Sequence, residues 1–255
     1  KIFPVDETQG ELRLAAWGTY LRAWDVYKNI FNALKDEYAR AVDRIGEGGD
    51  ESRRVDRRIA EHMIRSYGFG YIGLDDNGGL LARFYERAPD TLRAHVLWHV
   101  GYAFHEMKEK VPSAVLQRYE KLWEQRLEIA KANPSSHSRE MSAFGHLFYS
   151  EKFNDEWSIA QLKGALEISK WAEPALFVVQ RLAVLAPMYP NHAIQCLSHL
   201  VEGTGKEEGA LISWGLPIRT IISAARRGDL ESQQLAVTLV HRLGALGHTQ
   251  YRDLL

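Results

Sequence analysis

Residues 174–202 read PALFVVQRLAVLAPMYPNHAIQCLSHLVE, and the pattern returns 43 residues downstream. At that offset Val178 and Val179 meet Ile221 and Ile222. Ala193 meets Ala236, Ile194 meets Val237, Leu197 meets Val240, and Leu200 meets Leu243. Within each copy the apolar residues recur three and four apart, a spacing that lines one face of a helix. Each copy therefore predicts two helices joined by a short turn. Prolines mark the same beat further upstream: Pro89, Pro134, Pro174 and Pro217 lie 45, 40 and 43 residues apart. Proline is tolerated where a helix begins, because a first-turn N–H has no partner inside the helix. The pairs predicted from these starts are 90–107 with 113–132, 136–150 with 155–169, 174–186 with 190–202, and 217–227 with 229–245.

Two further pairs are expected before them, 8–23 with 25–45 and 51–67 with 79–88, filling the stretch from about 8 to 88. Two helices per unit at a period of roughly 40–47 residues is the HEAT or armadillo signature. The fold expected is all-α. It is a HEAT/armadillo-like right-handed solenoid of about six antiparallel helix pairs with no sheet, a single domain over residues 1–255. No alternating β-branched run is long enough to read as a strand. Short polar residues mark helix starts at Thr8, Asp90, Asn154 or Asp155, and Asp229. Glycines mark the stops at Gly46, Gly68, Gly203 and Gly247.

Composition narrows the function. Lys and Arg number 32 against 33 Asp and Glu, a formal charge of −1. That balance argues against a dedicated nucleic-acid binder, which needs a cationic surplus. Cys196 is the single cysteine, so no internal disulfide can form. The most apolar stretch, Ala175 to Ala186, is interrupted by Gln180 and Arg181, and no membrane span is expected. A cytoplasmic protein is the expectation, with no cofactor. The chain starts on Lys1 rather than Met, which reads as a piece of a longer protein.

Several constellations could carry chemistry. His192, Cys196 and His199 share one helical stripe at i, i+4 and i+7 and form a candidate zinc site. Against that, Cys196 and His192 align with Leu239 and Leu235 in the next unit, which reads as a packing face. Arg53, Arg54, Arg57 and Arg58 form a basic cluster and the candidate nucleic-acid or phosphate contact. Interleaved acids such as Asp56 and Glu61 suggest a solvated face instead. His95 and His99 sit four apart without the HExxH acid or a third ligand. Gly68-Phe69-Gly70-Tyr71-Ile72-Gly73 matches G-x-G-x-x-G, but a helix precedes it where the dinucleotide fingerprint needs a strand. Asp75, Asp76 and Asn77 lack the bidentate Glu of a calcium loop. Trp98, Trp123 and Trp157 fall on apolar stripes and are expected in the core. No nucleophile–base set can be assembled, so no catalytic residue is expected.

The stretch Phe84-Tyr85-Glu86-Arg87-Ala88-Pro89 with Leu92-Arg93-Ala94, and the ending Leu243-Gly244-Ala245-Leu246-Gly247 with Tyr251-Arg252-Asp253-Leu254-Leu255, resemble the helical C-terminal regions of large bacterial proteins. Those proteins carry ATPase or sirtuin-like N-terminal domains and act in anti-phage defence. The resemblance spans about 84–255 and implies a sensor, scaffold or oligomerisation role, without functional residues to transfer. The expected function is a non-catalytic protein-binding module whose partner is another protein or another domain of the same chain. Nucleic acid is not expected as a partner. The alternative is a HEAT-like nucleic-acid-binding enzyme such as a DNA-base glycosylase. Finally, helix 229–245 carries an apolar arc wider than an outermost helix needs. The tail is expected to fold back over it, burying Tyr251 and Leu254.

Overall fold

The computed structural model describes residues 39–47, 50–74, 79–108, 110–206 and 209–255. Among these residues the regular structure is helical and no strand occurs. Residues 39–43 are helical, and the helices from Asp50 onward are α1 (Asp50–Gly68), α2 (Leu80–Arg87), α3 (Asp90–Glu106), α4 (Ser113–Ala132), α5 (Ser138–Tyr149), α6 (Asp155–Ser169), α7 (Ala175–Leu185), α8 (Pro190–Glu202), α9 (Ala210–Ser213), α10 (Gly215–Ala225) and α11 (Leu230–Ala245). The pairs predicted from Asp90 onward agree with these bounds to within about two residues. The first pair, 8–23 with 25–45, lies largely outside the described residues, as does Thr8. Among the described residues no helix is long and apolar enough to cross a membrane.

Local sequence sets the helix ends. Asn154 accepts the Trp157 N–H at 3.0 Å, and Asp229 accepts the Ser232 N–H at 2.8 Å. Each bond satisfies one of the first-turn donors that a helix leaves open. Gly247 leaves α11 at φ 91°, a left-handed conformation that a Cβ disfavours.

Contacts divide the chain into two compact units. One holds residues up to Val100 with Val111–Trp123; the other holds Gly101–Lys110 with Glu124–Leu255. In the first unit α1 buries Val55, Ile59, Met63 and Ile64, and α2 buries Leu80, Leu81 and Phe84. The spacing is helical throughout, and α1 and α2 pack on each other. Tyr119 of α4 is buried and donates to the Ile64 carbonyl at 3.1 Å.

In the second unit each helix packs on its pair partner and on the helix of the same rank in the next pair. Thus α5 meets α6 and α7, α6 meets α8, α7 meets α8 and α10, and α8 meets α10 and α11. Two rows result: α5, α7 and α10 in one, α6, α8 and α11 in the other. Phe144, Leu147, Ile159, Leu162, Val178, Val179, Leu197, Ile221 and Ile222 fill the space between them. Full burial of each such side chain is worth about 1.5–3 kcal/mol, and entropy offsets most of the sum. Trp171 and Trp214 lie against each other there, with ring centroids 5.7 Å apart. Most positions matched at the 43-residue offset are buried together; Val237, His192 and Leu235 are half-buried.

The tail returns over α10 and α11 as a 3₁₀ segment, Thr249–Leu254. Tyr251 is buried; Leu254 is only half-buried, short of the burial expected for it. Arg219 of α10 contacts the tail at the surface. It pairs with both carboxylate oxygens of Asp253 (2.6 and 3.2 Å) and donates to the Gln250 carbonyl at 2.7 Å. Deleting residues 248–255 uncovers the apolar surface that Tyr251 shields. The expected loss is about 2 kcal/mol, read as a lower urea midpoint together with concentration-dependent self-association. An unchanged midpoint in a monomeric protein would show that the tail does not cap the helices.

Candidate functional site

The first unit carries the arginine cluster. Arg53, Arg54, Arg57 and Arg58 all expose their side chains, and helix geometry sorts them into two stripes. Arg53 and Arg57, one turn apart, line a cleft of about 500 Å³ with Gly46, Asp56, Pro89, Thr91 and Leu92. Asp56 is buried, and its Oδ2 accepts the Gly46 N–H at 3.1 Å, which ties down the turn beside the cleft.

The second stripe is partly neutralised. Arg58 donates to Glu61 at 2.9 Å, and the other Glu61 oxygen lies 2.9 Å from His95 Nε2. Burial raises the Glu61 carboxyl. The His95 hydrogen bond and the charges of His99 and Arg58 outweigh this and hold it below the usual carboxylate range. Burial also lowers the His99 imidazole, with Arg65 adding to the effect and Glu61 opposing it. His95 thus contacts Glu61 directly, and His99 lies close enough for the two charges to influence each other. Trp98 stacks on His95 with centroids 5.2 Å apart and is 42% exposed, so its place is at the surface and not in the core expected for it. Its stripe follows His95 outward, and the apolar stripe of α3 is Leu92, Val96 and Val100.

The second unit carries a different feature. The row α5, α7 and α10 leaves large apolar side chains in solvent: Phe177, Val184 (70% exposed) and Leu216 (76%), with Met188 after α7 and Ile212 on α9 (76%). Phe177 and Val184 fall at i and i+7 on α7, one stripe pointing away from the core, and Met188 is exposed in the turn that follows. Rings extend it: His105 meets Tyr149 at 4.6 Å, and Tyr149 meets Phe177 at 5.6 Å. The other row exposes Glu156, Ala160, Glu167 and Glu202 on α6 and α8. Glu167 pairs with Lys163 and Glu202 with Lys170 and Arg242, and Leu230 on α11 is 70% exposed, so this row is mixed in character.

Family models, curated proteins and solved structures give no match to the chain.

The structure spreads the remaining candidates apart. Cys196 is fully buried with its thiol directed at the Ile159 carbonyl, and burial drives its pKa up, which disfavours the thiolate that zinc needs. His199 Nδ1 lies 3.0 Å from Lys170 Nζ and 3.6 Å from Glu202, and burial and Lys170 lower its pKa. His192 is half-buried, like Leu235, its counterpart in the next unit. Among the described residues no three His, Cys, Asp or Glu side chains come together as metal ligands. In the G-x-G-x-x-G stretch Gly68 ends α1 and Tyr71 N–H bonds the Ser66 carbonyl, a helix exit. Asp75, Asp76 and Asn77 lie outside the described residues.

Sequence reasoning missed the charge buried in the second unit. Arg126 grips Glu140 with two bonds, Nε to Oε1 at 2.7 Å and Nη2 to Oε2 at 2.9 Å; His137 Nδ1 lies 2.9 Å from Oε2. All three side chains are buried. Arg126 stands 11 and 14 residues from His137 and Glu140 on a neighbouring element, so no local spacing announces its pairing; His137 and Glu140 are three residues apart. Arg181, read as an interruption of an apolar run, is buried against Asp155 at 2.6 Å and lies over the Phe148 ring at 5.5 Å.

Buried histidines add a pH dependence. Burial lowers His62 to about 3, with Arg65 contributing, and burial lowers His146 to about 4. Unfolding frees both to their ordinary value near 6.5. The unfolded chain then binds more protons below that pH, so the stability present above pH 6.5 falls as pH drops toward 4. Urea midpoints measured at pH 7.5 and pH 5 should show this decline. The H62Q/H146Q double variant should flatten it; an unaltered slope would remove these two residues as its cause.

Proposed function

We propose that this chain is a non-catalytic binding module, a HEAT-like stack of helix pairs that holds another protein or another domain. The observation that carries this reading is the apolar face on the row α5, α7 and α10 of the second unit. Large apolar side chains left in water along one side mark a surface that meets a partner. The repeat of helix pairs at 40–45 residues supports the stacked architecture, because such stacks present continuous faces. The resemblance of residues 84–255 to helical C-terminal regions of bacterial defence proteins supports a sensor or oligomerisation role in a cytoplasmic protein.

The test joins two measurements. V184D/L216D changes two exposed positions, so its urea midpoint should stay within about 0.5 kcal/mol of the parent. Its binding of a hydrophobic dye, and any self-association seen by sedimentation, should fall several-fold. Dye binding equal to the parent's would remove the apolar face as the docking surface. In a gel shift at low salt, duplex DNA should show no tight, salt-sensitive complex. Tight binding would favour the nucleic-acid enzyme reading instead.

A further inference from the structure

We propose that the cleft between α1 and the start of α3 in the first unit binds a small organic phosphate. Arg53 and Arg57 present two guanidinium groups from one face of α1, one helical turn apart. Paired guanidinium groups match the oxygens of a phosphate through parallel N–H donors. Asp56 is the one acidic side chain in the lining. It is buried and accepts the Gly46 N–H, whereas the arginines reach the surface.

The opposite wall adds donors. Thr91 brings an exposed hydroxyl and a backbone N–H in the first turn of α3, where no carbonyl inside the helix can accept it. Leu92 and Arg93 N–H groups return to the Pro89 carbonyl, so the turn is already formed around the cleft. The 17-residue α3 also directs its positive end there.

Size and wall chemistry point past inorganic phosphate. A volume of about 500 Å³ falls within the usual range for small-molecule sites, about 300–1,000 Å³. Pro89 and Leu92 give the organic part an apolar wall. A long polyanion is disfavoured, because Glu61 interrupts the basic strip by pairing with Arg58 and His95.

The neighbouring arginines supply an internal control, since Arg54 lies on the same helix but outside the lining. The experiment is calorimetric titration of the purified chain, at constant ionic strength, with adenosine monophosphate, inorganic phosphate and a duplex oligonucleotide. Saturable binding of the nucleotide is expected, tighter than that of inorganic phosphate. R57Q and R53Q should each weaken it at least tenfold, and R54Q should leave it within twofold. All three positions are exposed, so the variants fold. The proposal is overturned by an absence of saturable nucleotide binding. It is equally overturned if R54Q loses as much as R57Q, or if only the duplex binds; those results would describe a diffuse polyanion surface.

Discussion

Replacing Glu140 by alanine should destabilise the second unit by about 3–5 kcal/mol. The carboxylate takes two bonds from Arg126 and a third contact from His137, and both charged partners are buried, at 6% and 1% exposure. Removing the acid leaves a guanidinium without its counter-charge in a medium that solvates it poorly. The loss therefore reflects the abandoned charge more than the worth of the pair. A second variant separates the two. R126M/E140L removes both charges at similar volume and should recover most of the loss, because a buried pair roughly breaks even against apolar residues. Urea midpoints of the two variants and the parent check this. A double variant as unstable as E140A would mean that the triad supplies more than mutual neutralisation.

Gly145→Ala should also be costly, about 3 kcal/mol, and in the direction opposite to the ordinary rule. In a helix interior alanine is favoured over glycine by about 1 kcal/mol. Here a Cβ would run into the Glu173 carbonyl oxygen and reach Val178 Cγ2 at 2.9 Å. The obstacle is backbone, which a rotamer change cannot move, so α5 and the entry to α7 must separate. Gly244, late in α11, has nothing within 4 Å of the same added atom. Gly244→Ala should be neutral or raise the midpoint. Opposite signs for the two variants are the expected result; a stabilised G145A would mean that α5 and the α7 entry can separate without cost.

Much of the helical order was readable because burial obeys a 3.6-residue period. Val178 with Val179 and Ile221 with Ile222 are buried alike, and both the pattern and the packing follow from one face turning inward. Asn154 and Asp229 were readable as caps because the bond they make is local. The short α9, Ala210–Ser213, was not foreseen, since four residues are too few to show a period. Arg126, His137 and Glu140 were opaque for a related reason: ion pairs between elements depend on how helices dock. The arginine cluster was visible as charge. Its division into a cleft-lining pair and a stripe partly neutralised by Glu61 required the position of α3.

The contact between Trp171 and Trp214 gives the second unit an optical signature. Two buried indoles with centroids 5.7 Å apart and planes 31° apart couple their electronic transitions. Coupled indoles yield a paired positive and negative band in circular dichroism that isolated tryptophans lack. Trp171 follows α6 and Trp214 precedes α10, so the band depends on how those segments dock and not on how much helix exists. A chain that keeps its helices but loosens this junction would go dark in that band while its helical signal persisted.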